Sequence, residues 1–344
     1  DMAPPGSRKK KSLTSTSAED LDGTQVENKT KRGTKRRRKA AKNKSGEQPA
    51  GVEHLKAFVA AVQNTGVKGL LAEFEEIKKE TQAIGTTPKT AFDSHPEKNR
   101  YKDVFCVDAS RVVLKFPDAS EDYIHANWAE VAENRKYICA QGPTPGTVND
   151  FWRMVWGEKA GAIIMLCNVV EQGKKKCEQY YPEAVDETAT YGPVTVKVTS
   201  KKVLHDVLVA TTLQLSVGEE VHEVEHLFWQ NWPDRGVPPH MMACFKLIMQ
   251  VRKRTPVVIH CSAGIGRTGT VVALDMIYTA IVGGKASKLK EIVTNLRHAR
   301  HGSVQMDVQY VYIARCMVEF AIEKKIVDRK TMAKFIGEYE AFCK

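Results

Sequence analysis

"PVVIHCSAGIGRTGTVVALD", residues 256–275, reads as an apolar strand, a glycine-rich turn and an apolar helix. Gly264, Gly266 and Gly269 spell G-x-G-x-x-G, the spacing that seats a dinucleotide pyrophosphate on a helix N-terminus. Cys261, however, stands where the turn begins. A dinucleotide site needs a second strand tipped with Asp or Glu about 20 residues on, for the ribose hydroxyls. Here a second helical pattern, "SKLKEIVTNLRHAR", follows instead. Glu291 has roughly the required spacing but falls mid-helix, and only 75 residues remain beyond Gly269. No lysine follows the last glycine, so the turn is not a Walker loop either.

The alternative is a loop that holds a phosphate for Cys261 to attack. A strand running into a tight glycine turn can aim successive N–H groups inward as an anion nest, and the following helix adds its positive end. Together they would lower a thiol pKa from ~8.5 towards the ~3.5–7.5 of activated cysteines. Arg267 supplies a planar fork suited to two phosphate oxygens. Gly264 and Gly266 would let the backbone approach the ligand.

The rest of the chain narrows the choice. Apolar residues make up 42% and charged residues 27%, as in ordinary globular proteins, and no apolar run approaches the ~20 residues of a membrane helix. No secretory signal pattern opens the chain, and the eight cysteines show neither C-x-x-C pairs nor a disulfide framework. Reduced thiols in the cytosol or nucleus are the expectation, with no zinc site. Of the net charge of +11, residues 1–50 carry +8 (14 Lys/Arg against 6 Asp/Glu) and the remainder +3 (38 against 35). The basic character belongs to the tail and gives no sign of a nucleic-acid-binding fold. Residues 1–50 are too poor in large apolar residues to build a core and are expected to be disordered.

Apolar spacing then predicts two helices on either side of "NTG". Short strands run from "SRVVLKF" to "EVEHLFW", with "PVTVKVT" alternating as a half-buried strand does. Helices cover roughly 240–253, 268–282, 287–300, 305–323 and 329–342. The fold class expected is α/β: a single domain with a twisted mixed sheet flanked by helices.

The string "HCSAGIGRTG" closely resembles the signature loop of the tyrosine-specific protein phosphatases, and other family motifs follow in order. "KNRYKDV" resembles the phosphotyrosine-recognition loop, which would make Tyr101 the aromatic wall and Asp103 an anchor for substrate backbone. "EQGKKKCEQYYP" resembles the loop whose Glu171 would brace Arg267 and whose Lys176 would approach the acid loop. "WPDRGVP" resembles the acid loop, with Trp232 supporting and Asp234 as general acid and base. "VQMDVQY" resembles the loop that places Gln305 and Gln309 near the hydrolytic water.

The resemblance implies a cysteine-dependent, non-receptor enzyme hydrolysing phosphotyrosine through a cysteinyl-phosphate. Cys261 would be the nucleophile, and Arg267 would hold phosphate with the backbone of Ser262, Ala263, Gly264, Ile265 and Gly266. Thr268 would stabilise the leaving thiolate and His260 would orient the loop. It implies no metal or organic cofactor. Its partners would be phosphotyrosine-containing proteins, with no nucleic acid required. Arg235 and Met306 depart from the family pattern, Arg235 standing where an aromatic residue or His is common.

The division expected is a basic tail over 1–50, a helix or linker over 51–66, the catalytic domain over 67–325 and a helical extension over 326–344. "RKKK" at 8–11 and "KRGTKRRRK" at 31–39 would address a cytoplasmic protein to an import receptor and the nucleus, or tether it to an anionic membrane surface. A merely solvated tail fits the composition equally well.

Overall fold

The strand expected from "PVVIH" forms over Val257–His260, and all four residues are buried, as a strand covered on both faces requires. It belongs to a computed structural model that describes residues 50–82, 87–205 and 207–344. Apart from Ala50, the tail expected over residues 1–50 lies outside the described residues.

In chain order the elements are α1 (Ala50–Glu80), α2 (Thr90–Ser94), β1 (Arg111–Val113), β2 (Tyr123–Ala132), β3 (Arg135–Ala140), α3 (Val148–Gly157) and β4 (Ala162–Met165). A small hairpin follows, β5 (Val170–Glu171) and β6 (Lys174–Lys175). Then come β7 (Thr188–Tyr191), β8 (Val194–His205), β9 (Leu208–Val217), β10 (Glu220–Trp229), α4 (Met241–Val251) and β11 (Val257–His260). The last elements are α5 (Gly266–Val282), α6 (Leu289–Ala299), α7 (Asp307–Glu323) and α8 (Ala333–Phe342).

Nine strands pair in the order β1-β2-β3-β11-β4-β10-β9-β8-β7. The four central strands β3, β11, β4 and β10 run parallel, and both flanks are antiparallel. Apolar pattern explains the layers. β4 and β11 are buried at every position, whereas β8 buries only Val194, Val196 and Val198 in alternation before its outer half opens to solvent. α5 packs over β11, β3 and β2 and is buried almost all round, because α1, α6 and α7 close over it. α3 packs against β2, β7 and β8. In open α/β sheets ligands bind beyond the carboxyl ends of the parallel strands, and β11 delivers Cys261 to that edge.

The break expected at "NTG" is a kink rather than a gap. Helical geometry fails at Gly66, whose φ of 63° is left-handed, and α1 resumes at once. The second half starts with an orphaned N–H at Val67, which Glu338 of α8 accepts through Oε2 at 2.9 Å. α1 and α8 thus pack on each other within the compact unit that holds every described residue.

Replacing Glu338→Ala removes an acceptor that no neighbouring group supplies. The loss expected is about 1–2 kcal/mol, the scale of a deleted helix cap. It would be read as a lower urea midpoint with an unchanged slope.

Candidate active site

The loop after β11 places Cys261 at the floor of a cavity of about 460 Å³. Tyr101, Asp103, Lys176, Asp234, Ser262, Ala263, Gly266, Arg267, Gln305 and Gln309 line the same space, so segments far apart in sequence converge there. Trp232, His260, Gly264, Ile265 and Thr268 lie outside that lining, and so does Glu171. A larger groove of about 690 Å³ between α1 and the start of α6 contains neither a cysteine nor an arginine.

The turn owes its shape to a buried arginine. Arg300 donates from Nη2 to the Ala263 carbonyl at 2.9 Å and from Nε to the Gly264 carbonyl at 3.1 Å. A trans peptide points its N–H opposite to its C=O. The Ala263–Gly264 peptide therefore turns its N–H inward, where Gly264 N donates to Cys261 Sγ at 3.2 Å. Gly264 has φ 71°, and a Cβ there would lie 2.0 Å from the Ala140 carbonyl oxygen. Its glycine is required by contact with β3 rather than by approach to a ligand, which corrects the sequence expectation. Ile265 caps α5, and its carbonyl accepts N–H groups from Gly269 and Val304. α5 begins at Gly266, two residues earlier than expected, so Gly266 and Arg267 occupy its first turn.

Burial pushes the Cys261 thiol up, but the Arg267 charge, Thr268 and the Gly264 N–H outweigh it and hold the thiol below its ordinary pKa. Thr268 Oγ1 is buried and forms no hydrogen bond of normal geometry among the described residues, so its proton is free for the sulfur.

Arg267 is almost wholly buried and spends its fork on acceptors. Nη1 and Nη2 donate to the two Glu171 oxygens at 2.6 and 3.0 Å, and Nη1 also donates to the Trp232 carbonyl at 2.9 Å. Nη2 reaches Asp234 Oδ1 at 3.4 Å, while Lys176 Nζ donates to Asp234 Oδ2 at 2.6 Å. Burial raises the Asp234 carboxyl, yet the Lys176 bond and the charges of Arg267 and Lys176 bring it below the ordinary aspartate range. Trp232 is buried, packs at a tilt of 59° against Trp229 and donates from Nε1 to Gly236 O at 3.1 Å, which ties the acid loop back on itself.

Ser262 gives its proton to the Lys176 carbonyl at 2.9 Å, so Tyr101 is the donor in the 2.9 Å contact between the two hydroxyls. Arg100 anchors this wall by donating to the carbonyls of Gly142 and Pro143. Gln309 Oε1 accepts the N–H groups of Gln305 and Met306 at 3.1 Å each, which turns Nε2 towards Gly236. Val304, a β-branched residue at φ 59°, is held in this strained form by Arg297, which donates to the Ser303 and Val304 carbonyls.

His260 sits behind the loop. Its Nδ1 lies 3.2 Å from the Cys261 carbonyl, which can only accept, so Nδ1 carries the proton. Nε2 is then an acceptor, and Tyr180 donates to it at 2.8 Å. The Tyr180 oxygen in turn accepts from His226 Nε2 at 2.7 Å. Burial above all lowers His226 to about 3, so it is neutral. Its Nδ1 is left as a bare acceptor without a partner among the described residues. Cys167 and Cys177 lie beside His260, with ligating atoms within 4.8 Å of one another. Both ring nitrogens are already committed to hydrogen bonds, and the bond with Cys177 followed by burial raises the Cys167 thiol well above normal. Cys167 is therefore a protonated thiol behind the loop, beside a histidine whose ring nitrogens are already taken.

Arg300, Tyr180, His226 and Arg100 escaped the sequence reading. Arg300 and His226 lie in ordinary patterns that nothing local marks, while Arg100 and Tyr180 stand inside quoted family motifs without a signal of the bonds they make.

The family model for protein-tyrosine phosphatases matches residues 95–319, and the chain belongs to that family of hydrolases. It is 35% identical over 287 residues to the receptor-type tyrosine-protein phosphatase eta of Homo sapiens, covering 80% of this chain and 21% of that protein. The chain thus spans about a fifth of the length of that curated relative. The solved catalytic domain of human protein tyrosine phosphatase non-receptor type 18 aligns with a TM-score of 0.70 at 28% identity, covering 79% of this chain and 99% of that one. A structure described as PTPN18 with HER2 phosphopeptides aligns with a TM-score of 0.72 at 29% identity, covering 78% of this chain and 99% of that one. No helix among the described residues is long and apolar enough to cross a membrane.

Tyr180→Phe keeps the ring but removes the proton given to His260. His260 Nε2 then lacks its donor, and the unpolarised ring becomes a weaker Nδ1–H donor to the Cys261 carbonyl. The Cys261 thiol pKa should rise, and the pH profile of iodoacetamide alkylation would move to higher pH.

Proposed function

We propose that this chain hydrolyses phosphotyrosine in proteins through a cysteinyl-phosphate formed on Cys261. The observation that carries the reading is a buried thiol held below its ordinary pKa, at the floor of a cavity it shares with Arg267 and Asp234. The solved relative described with phosphopeptides supports phosphotyrosine-containing proteins as the substrate class.

In the first step the thiolate attacks phosphorus, the S–P bond forms and the P–O bond to the phenol breaks. Arg267 and the inward N–H groups receive the equatorial oxygens and stabilise their charge. Asp234 delivers its proton to the departing phenolate, a step worth roughly 100- to 10,000-fold. In the resting site Asp234 is held as the carboxylate. A phosphate dianion arriving between it and Arg267 takes over that guanidinium and repels the carboxylate, which raises its pKa towards the protonated form. In the second step water, placed by Gln309 with Gln305, attacks phosphorus, Asp234 accepts its proton, and the S–P bond breaks. Thr268 meets the returning thiolate with its free hydroxyl. Tyr101, fixed by Ser262, forms the wall along which the long phosphotyrosine arm reaches the sulfur, and Asp103 beside it anchors substrate backbone. The charged tail is separable from this chemistry, and its proposed role is an address for nuclear import or a tether to anionic membrane.

Cys261→Ser should abolish turnover while phosphopeptide binding persists, and added chelator should leave the wild-type rate unchanged. Asp234→Ala should slow phosphotyrosine hydrolysis by roughly 100- to 10,000-fold, with a smaller loss for an aryl phosphate whose leaving group is strongly acidic. Equal losses on both substrates would remove Asp234 from the acid role.

The pH profile of kcat/KM reports the free enzyme, rising as Cys261 ionises and falling as Asp234 ionises. The Lys176 bond lowers the Asp234 pKa, so Lys176→Met should leave Asp234 protonated to higher pH. The alkaline limb should move up, and an unmoved limb would show that Lys176 does not set it.

A further inference from the structure

Four cationic side chains line the cavity, and two of them are already matched. Arg267 is matched by Glu171 and Lys176 by Asp234. Lys174 and Arg235 line the same cavity at its exposed edge, and neither has an ion pair or hydrogen bond among the described residues.

Their placement is built into the backbone. In the hairpin β5–β6, Glu171 lies opposite Lys174, and directly opposed residues share a face. Glu171 reaches Arg267 from that face, so Lys174 stands on the cavity side. Lys175 points the other way and pairs with Glu178, while Lys176 returns to the cavity side two residues on. The turn Gln172–Gly173 has φ of 49° and 72°, the left-handed pair of a tight two-residue hairpin, which fixes this register. Arg235 stands on the acid loop beside Asp234 at φ 56°, left-handed for a residue with a Cβ, and its charge is felt by the Asp234 carboxyl.

A single phosphate uses Arg267 and the loop N–H groups and leaves both outer cations unmatched. We propose that Lys174 and Arg235 form a second anion site, which selects phosphotyrosines flanked by another anionic group, a carboxylate or a second phosphate. This rests on the phosphotyrosine reading and adds a substrate class to it. The partly exposed position sets the strength: each contact is of surface ion-pair size, so the combined preference should be about three- to tenfold.

The test compares kcat/KM on phosphotyrosine peptides of one length, with Gln, Glu or phosphoserine placed in turn at the two positions before and after the phosphotyrosine. Wild type should favour Glu or phosphoserine over Gln at one or more positions. That ratio should fall towards one on raising salt from about 50 mM to about 0.5 M, because exposed ion pairs are screened. In Lys174→Gln, Arg235→Gln and the double variant the ratio should collapse as well, and any uniform loss of rate cancels from it. A Glu preference equal to that for phosphoserine assigns acidic segments, and a larger phosphoserine preference assigns multiply phosphorylated ones. Equal rates on all peptides in wild type, or a salt-insensitive preference retained in the double variant, would overturn the second site while leaving the phosphatase reading intact. Hydrolysis of none of the peptides would overturn both.

Discussion

The site depends first on a cation that never meets a carboxylate. Arg300 is fully buried, and its acceptors are two loop carbonyls, the Asn127 amide oxygen and His125 Nδ1. A buried guanidinium is costly unless its donors are satisfied and its charge is answered. Here carbonyl dipoles satisfy the donors. Burial above all lowers the pKa of Arg300, while the Cys261 thiolate raises it. By pulling two carbonyls outward it leaves the N–H groups of the same peptides nowhere to point but inward. The cradle is the reverse side of the Arg300 hydrogen bonds.

In the proposed mechanism the nucleophile and the acid need opposite protonation states, and the resting structure supplies only one of them. Arg267 lowers both the Cys261 thiol and the Asp234 carboxyl, because both lie within its field. The proposed first step needs the thiolate but not the carboxylate. In the proposed mechanism the substrate's own dianion resolves the conflict by occupying Arg267. On that proposal the free enzyme is poised as a nucleophile, and a bound phosphate favours the acid form of Asp234. Glu171 keeps Arg267 in place throughout, since its bidentate grip does not depend on the ligand.

Strand, turn and helix were legible in residues 256–275 because apolar runs bounded by glycine encode them locally. The convergent residues were legible because "HCSAGIGRTG", "WPDRGVP" and "KNRYKDV" are specific strings in family order. What escaped has a common cause. Arg300 acts on residues 36 and 37 positions earlier and on Asn127, 173 positions earlier, and Tyr180 acts on His260, 80 positions later. Such pairings exist only after the chain has closed on itself. Gly264 was found, but for a different reason, because its close neighbour is the Ala140 carbonyl on another strand. The β5–β6 hairpin did have a local signal, since Gln172–Gly173 is a tight-turn pair. It went unread beside a charge-rich run.

The bond from Val67 to Glu338 spans 271 residues and joins the first helix to the last. Chains emerge from the ribosome N-terminus first, and early segments ordinarily begin to fold before later ones exist. In this protein the second half of α1 must wait for its cap until α8 has been made. Until then the apolar face carrying Leu70, Phe74 and Ile77 also lacks α5 and α7, against which α1 packs. The first of the described helices to be made is therefore among the last to be secured. Until α8 is made it is a surface for chaperones to cover.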